Sequence, residues 1–325
     1  MNYTITATLG PASQSEDVWR EMLRLGVTSF RLNTSHMEAE EVKEMVKKIS
    51  DFTLSENVAL PVILDLQGSK WRLGKLDPIE LKEGEVVELA LSEESDFRGR
   101  LPVPHEDFFR AAASSEKEIV LNDAKVLLET EEVTPALIKA CVKKGGPVSS
   151  RKGITFLGSA FRSESLKKKD RELINMTESC QNIRYAVSYI KDMEEMKKYR
   201  ELIGRDAYII AKLERSEAVK DAMKLQDYAD EIWLCRGDLG AELGLRKMAE
   251  AAAGFSELLK ELKRPVVLAG QVLEHMASFP EPTRSEVSCI YEALRKGYSG
   301  VVLSDETAVG RYPVEACRMA AMFLG

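Results

Sequence analysis

The feature that most constrains the fold of this chain is a regular alternation of short apolar segments with amphipathic, charge-rich segments. Apolar segments of strand length followed by helical segments predict βαβ units and a parallel sheet covered by helices. Eight apolar segments favour a closed barrel over an open sheet, so we predict the α/β class and a (β/α)8 TIM barrel. The apolar segments are residues 3–9, 27–32, 61–66, 183–188, 207–213, 231–235, 265–269 and 300–304, and the helical segments are 15–25, 38–50, 215–229, 247–263 and 284–296.

Polar residues of catalytic type follow most of the predicted strands. In a (β/α)8 barrel the active site is built at the carboxyl ends of the strands, so these side chains are expected to share one rim. The rim residues are Arg31, Asn33, Asp65, Ser188, Lys212, Glu214, Asp238, Gln271, Ser304 and Glu306.

Lys212 and Glu214 lie two residues apart at the end of one strand, and Asp238 follows the next strand. Side chains two residues apart face the same side of a strand. Two carboxylates at neighbouring strand ends suit a hard divalent cation such as Mg²⁺. A lysine beside them can neutralise charge on a transferring phosphoryl group. A structural ion pair between Lys212 and Glu214 accounts for the same pattern equally well.

Composition and charge exclude several classes of protein. The net charge is −7 without a basic stripe, which argues against nucleic acid and anionic membranes as partners. We find neither a membrane-spanning apolar run nor a signal peptide, so we expect a cytoplasmic protein. The five cysteines are scattered and odd in number, which indicates reduced, mostly buried thiols.

About 115 residues separate the third and fourth predicted strands, far more than one helix needs. Within them, residues 79–91 and 118–129 alternate as strands do. We predict a β-rich domain over residues 75–151, inserted into a barrel formed by residues 1–74 and 152–325. We favour the interpretation that this inserted domain is a lid that excludes water from the catalytic rim. The alternative is an insertion that does not move.

Collinear motifs give the chain a resemblance to the pyruvate kinase family over almost its whole length. No single motif is specific, but their number and order are. The motifs are TATLGPAS (6–13), FRLNTSH (30–36), LDLQGSKWR (64–72), AKLE (211–214), RGDLGAE (236–242), QVLEHM (271–276), PTRSEV (282–287) and LSDETA (303–308).

The resemblance implies a phosphotransferase that converts phosphoenolpyruvate and ADP to pyruvate and ATP. It implies that Glu214 and Asp238 hold Mg²⁺ or Mn²⁺ and that Lys212 stabilises the phosphoryl group in flight. The amides of Gly237 and Asp238 are expected to bind the substrate carboxylate at a helix N-terminus.

The remaining family positions also map onto this sequence. Their implied roles are phosphate binding by Arg31 and Arg72, monovalent-cation binding by Asn33, Ser35 and Asp65, nucleotide contact by His36, and closure over the substrate by Asp123 and Lys152. Capping of the following helix is an equally good explanation of His36. A homo-oligomer formed through the barrel is compatible with the resemblance.

The sequence departs from the family pattern at three positions and at its C-terminus. Gly270 replaces a substrate-binding threonine whose hydroxyl assists proton handling, so we expect weaker catalysis and a gain from Gly270→Thr. Gln67 replaces a lysine. Lys70 replaces a glutamate that in the family accompanies potassium dependence, so we expect that K⁺ is not required. The sequence ends shortly after residues 314–324, so the family's effector domain and its control are not expected.

Two other functions stay open on the sequence. One is a non-catalytic sensor that binds phosphoenolpyruvate or nucleotide, which Gly270 and Gln67 favour. The other is an enolate-forming, metal-dependent C–C lyase that would reuse Glu214 and Asp238.

Overall fold

The computed structural model describes residues 3–97, 99–113, 118–122, 125–157 and 166–324. The strands in this part of the chain are β1 (Thr4–Leu9), β2 (Ser29–Asn33), β3 (Val62–Leu66), β4 (Ile79–Leu81), β5 (Val86–Ala90), β6 (Arg100–Pro102), β7 (Glu118–Leu121), β8 (Val126–Val133), β9 (Leu137–Lys144), β10 (Gly146–Val148), β11 (Ile154–Phe156), β12 (Ile183–Val187), β13 (Tyr208–Leu213), β14 (Glu231–Cys235), β15 (Val266–Ala269) and β16 (Gly300–Leu303).

The helices are interspersed with these strands along the chain. They are α1 (Glu16–Arg24), α2 (Ala39–Ser55), α3 (Glu106–Ala112), α4 (Lys168–Thr177), α5 (Met193–Ile203), α6 (Ser216–Lys220), α7 (Ala222–Leu225), α8 (Arg236–Leu243), α9 (Leu245–Leu258), α10 (Arg284–Lys296), α11 (Asp305–Ala308) and α12 (Pro313–Ala321). Short 3₁₀ turns lie at Pro11–Ser13, Thr34–His36 and Glu274–Ala277. No helix of the described chain combines the length and apolarity needed to cross a bilayer.

Eight parallel strands close into a barrel in the order β1-β16-β15-β14-β13-β12-β3-β2, which confirms the predicted (β/α)8 barrel. Alternate side chains of these strands fill the barrel interior, because successive residues of a strand point to opposite faces. The interior cluster consists of Ile63, Ala186, Ile210, Trp233, Cys235, Val267, Ala269 and Val302. The barrel is therefore a packed core, and a binding site must lie at one of its ends.

Local signals set the helix bounds. The Ser15 side chain accepts a hydrogen bond from the Val18 amide and begins α1, while a Thr283–Glu286 capping box begins α10. The segment predicted as one helix over 215–229 forms two short helices instead. The backbone at Asp221 leaves the helical region and separates α6 from α7.

The chain divides into two compact units. One comprises Met1–Gly68, Leu166–Arg236 and Ala251–Gly325, and the other Ser69–Ser165 and Gly237–Glu250. In the second unit the strands form a six-stranded sheet, β11-β7-β8-β9-β5-β6, and a two-stranded sheet, β10-β4, so the predicted insertion is β-rich. Its core includes Trp71, Phe108 and Phe156 in mutual ring contact, and α3 within it was not predicted. The domain bounds at residues 75 and 151 stay a prediction.

The cysteines are all free thiols, but the expectation that they are mostly buried was wrong. Cys235 and Cys317 are buried, Cys141 and Cys289 are half-buried, and Cys180 is exposed.

Candidate active site

A buried lysine lies at the centre of the first unit's polar cluster. The Nζ atom of Lys212 lies 2.9 Å from Oδ1 of Asp65, 2.7 Å from Oγ of Ser188 and 2.9 Å from Oε1 of Glu214. Lys212 shares the inward face of β13 with Ile210, two residues earlier, so the lysine extends the apolar barrel interior toward its carboxyl end. The ion pair with Glu214 is present, and it forms part of a larger network rather than an isolated pair.

Asp65 is shared between two cations. Its Oδ2 atom accepts hydrogen bonds from Nε and Nη2 of Arg31, and Nη1 of Arg31 donates to Oγ1 of Thr8. Burial alone would raise the pKa of Asp65, but the charges of Lys212 and Arg31 outweigh burial and lower that pKa to about 2. Asp65 is therefore ionised at neutral pH and remains so in moderately acidic solution.

The charge state of Lys212 follows from the same contacts. Burial alone would lower the pKa of Lys212, but the carboxylates of Asp65 and Glu214 outweigh burial and raise it. The lysine therefore stays an ammonium ion, and its role is electrostatic rather than that of a proton acceptor.

Glu214 is fixed by a second contact besides Lys212. Its Oε2 atom accepts a hydrogen bond of 2.7 Å from the amide of Tyr189, whose φ of 61° lies in the left-handed region. Such a backbone conformation is uncommon for an aromatic residue and points to a constrained segment. The carboxylate is thus held in one orientation by β12 and β13 together.

The predicted monovalent-cation ligands lie at the ends of β2 and β3. Asn33 pairs with Asp65 in the sheet register, and Oγ1 of Thr34 donates to the carbonyl oxygen of Asp65 at 2.7 Å. Ser35 is buried in the 3₁₀ turn that follows, and His36 is exposed at the end of that turn. The structure therefore brings Asn33 and Asp65 together on adjacent strands.

The second unit contains another set of predicted residues. Lys70 forms an ion pair with Asp238, and both side chains are largely shielded from solvent. A Cβ atom added to Gly153 would lie 2.8 Å from Cε of Lys70, so a side chain at this position would displace the end of the lysine.

Three more predicted positions belong to the second unit's sequence. Nη1 of Arg72 donates to the carbonyl oxygen of Arg151 at 2.9 Å. Lys152 is half-buried beside Gly153. Asp123 lies outside the described residues.

The end of β15 differs from the expectation based on a missing hydroxyl. Gly270 has φ of 82° and Gln271 has φ of 52°, so both adopt left-handed conformations. The Arg236 side chain donates to the carbonyl oxygens of both residues, at 2.8–3.1 Å. A threonine at Gly270 would be strained because a β-branched residue strongly disfavours positive φ. This strain opposes the gain expected from Gly270→Thr, so we revise that expectation to a loss of stability without a gain in turnover.

The predicted metal ligands belong to different units. Glu214 lies in the first unit and Asp238 in the second, and each carries a carboxylate, the type of ligand that Mg²⁺ prefers; that they hold one ion stays a prediction. No group of three or more histidine, cysteine, aspartate or glutamate side chains forms a metal cage within the described residues. A Mg²⁺ ion held by two carboxylates would be completed by oxygens of substrate and water, which is its usual mode of binding.

Several contacts of the cluster were not predicted from the sequence. Thr8 supports Arg31, and the backbone amide of Tyr189 supports Glu214. Thr8 carries a detectable signal, because it lies two residues after Thr6 on a strand whose other inward positions are polar. The Tyr189 contact has no such signal, since any residue supplies a backbone amide.

A parallel barrel with a buried lysine–carboxylate cluster at its strand ends has the architecture of a (β/α)8 catalytic domain. The sequence matches the family described as pyruvate kinase, barrel domain, over residues 1–317. The chain belongs to that family.

Individual relatives agree with the family assignment. The chain is 31% identical over 320 residues to "Pyruvate kinase" of Thermotoga maritima, covering 97% of this chain and 68% of the relative. It is 32% identical over 315 residues to "Pyruvate kinase" of Agrobacterium vitis, covering 96% and 65%. It is 33% identical over 328 residues to "Pyruvate kinase 2" of Synechocystis sp., covering 98% and 55%. The chain thus spans about half to two thirds of these relatives.

Proposed function

We propose that this chain catalyses phosphoryl transfer from phosphoenolpyruvate to ADP, which yields pyruvate and ATP. The observation that carries the proposal is the Lys212 ammonium, buried at the strand ends and held by Asp65, Ser188 and Glu214. Phosphoryl transfer is catalysed mainly by positioning and by electrostatic stabilisation of the equatorial oxygens, which a fixed ammonium supplies.

In the proposed reaction, the bond between phosphorus and the enol oxygen of phosphoenolpyruvate breaks, and a bond to a terminal oxygen of ADP forms. Lys212 and Arg31 stabilise negative charge on the phosphoryl group, and Asp65 keeps both cations in place. The enolate of pyruvate left behind takes up a proton at its terminal carbon. Gly270 carries no donor side chain, so we propose that this proton comes from water.

The other predicted residues have proposed roles in binding. Gly237 and Asp238 receive the substrate carboxylate through their amides at the start of α8, and Arg72 binds phosphate. We propose that His36 contacts the nucleotide and that Asp123 and Lys152 close over the substrate. We propose that Glu214 and Asp238 hold Mg²⁺, which supplies positive charge to the substrate's oxygens when bound.

A lactate dehydrogenase-coupled assay with phosphoenolpyruvate, ADP and Mg²⁺ tests the activity. The unmodified protein is expected to oxidise NADH only when all three are present. Calorimetry tests the metal ligands separately: phosphoenolpyruvate binding should require Mg²⁺ and should be largely lost in a folded Asp238→Asn variant. Equal affinity with and without Mg²⁺ would exclude the metal assignment, and absence of turnover at saturating substrates would exclude the kinase.

The second candidate is a non-catalytic protein that binds phosphoenolpyruvate. Gly270 and Gln67 favour it, because glycine supplies no hydroxyl and glutamine no positive charge where the family pattern has a threonine and a lysine. Calorimetric binding of phosphoenolpyruvate without turnover would support this second candidate.

A further inference from the structure

Lys169 and Asp170, in the first turn of α4, are charged residues that the proposed mechanism does not use. Asp170 is 1% exposed, and its two carboxylate oxygens accept hydrogen bonds from consecutive backbone amides. Oδ1 accepts from Gln67 at 3.0 Å, and Oδ2 accepts from Gly68 at 2.9 Å. The adjacent Lys169 donates from Nζ to the carbonyl oxygens of Thr34, at 2.6 Å, and of Met37.

The amides bound by Asp170 follow the end of β3, where the strand no longer pairs them. A buried amide without a partner costs about 1–3 kcal/mol, so this carboxylate satisfies two groups that the barrel leaves open. Gly68 has φ of 60°, and an added Cβ would lie 2.0 Å from the carbonyl oxygen of Ser188. The chain after β3 is therefore pressed against the residue whose hydroxyl contacts Lys212 and Asp65.

Lys169 fixes the corresponding chain after β2. Thr34, which accepts from Lys169, donates its own hydroxyl to the carbonyl oxygen of Asp65. The segment between Thr34 and Met37 includes Ser35 and His36. Two neighbouring residues of one helix thus hold the backbone that follows two adjacent strands of the cluster.

The hydrogen bonds of Asp170 join two segments that are far apart in the sequence. The chain leaves the first unit after Gly68 and re-enters it at Leu166. Asp170 therefore links the two ends of the first unit's chain at this interruption. Its partners, Gln67 and Gly68, are the last two residues before the interruption, and Asp170 is the fifth residue after it.

We propose that Lys169 and Asp170 are positioning residues for phosphoryl transfer. They fasten the backbone that follows β2 and β3, and so keep Asp65 and the Lys212 ammonium that it holds in position. The inference rests on the proposed function. Displacements of about 1 Å at a reacting centre can cost about 100-fold in rate, which gives this fastening a kinetic consequence.

Asp170→Asn tests the inference, because the amide keeps one acceptor and places a donor opposite one of the two backbone N–H groups. We expect kcat to fall about 10- to 100-fold while the calorimetric Kd for phosphoenolpyruvate changes less than threefold. Lys169→Met should lower kcat in the same way, and this variant provides the test if Asp170→Asn does not fold. The matched control is Asp192→Asn, which alters a carboxylate that caps α5 and accepts from the Glu195 amide. Its kcat should stay within twofold of the unmodified value.

Amide hydrogen exchange supplies a second readout that does not need turnover. Folded Asp170→Asn should lose protection at residues 67–68, and Lys169→Met at residues 34–37, while the barrel strands keep theirs. Unchanged kcat in an active protein, or unchanged exchange in an inactive one, would overturn the inference. Absence of turnover in the unmodified protein would reject the proposed kinase and leave the exchange result to decide whether the fastening exists.

Discussion

The ammonium of Lys212 and the carboxylate of Asp65 meet across the barrel interior, with 2.9 Å between Nζ and Oδ1. Their strands, β13 and β3, are not neighbours, because β12 lies between them. Ser188, immediately after β12, completes the contact through its hydroxyl. Three successive strands are therefore joined by one charged group at the end of the barrel where catalysis is expected.

Replacing Lys212 with methionine should remove phosphoryl stabilisation. Arg31 still compensates Asp65 and the Tyr189 amide still binds Glu214, so we expect the variant to fold with reduced stability. We expect kcat to fall by about 10³-fold or more, with little change in the Kd for phosphoenolpyruvate. Coupled turnover and calorimetry measure the two quantities. Lys224→Met alters a 73% exposed lysine and should leave both unchanged. A parallel loss of binding and turnover in Lys212→Met would show that the lysine acts in the ground state.

Substitution of Gly270 should destabilise the protein. With φ at 82°, any side chain is disfavoured, and threonine more than alanine because it is β-branched. We expect Gly270→Ala to lower the free energy of unfolding by about 1–2 kcal/mol, measured by urea denaturation, and Gly270→Thr to lower it further without raising turnover. The control Gly254→Ala adds a methyl group to α9 where nothing lies within 4 Å, and it should be neutral or stabilising. Higher turnover in Gly270→Thr would contradict this prediction.

Lys70 is predicted to make activity independent of potassium. A tethered ammonium supplies positive charge without the need to bind a free ion. Turnover should therefore be nearly unchanged when tetramethylammonium replaces K⁺ at constant ionic strength, and Lys70→Glu should make it potassium-dependent. Gly153→Ala, which would crowd Cε of Lys70, is expected to weaken the independence in the same direction. A strong K⁺ requirement in the unmodified protein would reject this role of Lys70.

The stability of the protein should carry a pH dependence from Asp170. Burial raises the pKa of this carboxyl to about 6, although amide donors oppose the change. Because the folded pKa lies above the ordinary value, the stabilisation is fully present below about pH 4 and is lost as pH rises through 6. The difference in unfolding free energy between the unmodified protein and Asp170→Asn should shift by about 3 kcal/mol over this range. Urea denaturation at several pH values measures the shift, and a flat difference would contradict it.

The barrel was predictable because each strand is an apolar run of the right length, and Lys212, Glu214 and Asp65 were found because they end such runs. The hydrophobic pattern does not predict helix α8, since RGDLGAEL lacks an amphipathic period, and only the family resemblance places a helix start at Gly237 and Asp238. Asp170 gave no signal, because its partners are backbone amides about 100 residues earlier in the chain. Gly270 was recognised as a departure from the family pattern. A glycine in the sequence, however, does not reveal whether the position has lost a hydroxyl group or requires a left-handed backbone conformation.

The polar cluster at the strand ends carries no net charge: the two positive side chains, Arg31 and Lys212, are balanced by the two negative ones, Asp65 and Glu214. An incoming phosphate ester with its own carboxylate adds roughly two to three negative charges that this balanced set cannot absorb. We therefore expect the substrate anion to bind only together with positive ions that compensate its charge. If the proposed function is correct, the choice of anion depends on the choice of its counterions, and the concentration of free divalent metal should set the fraction of the protein that binds the anion.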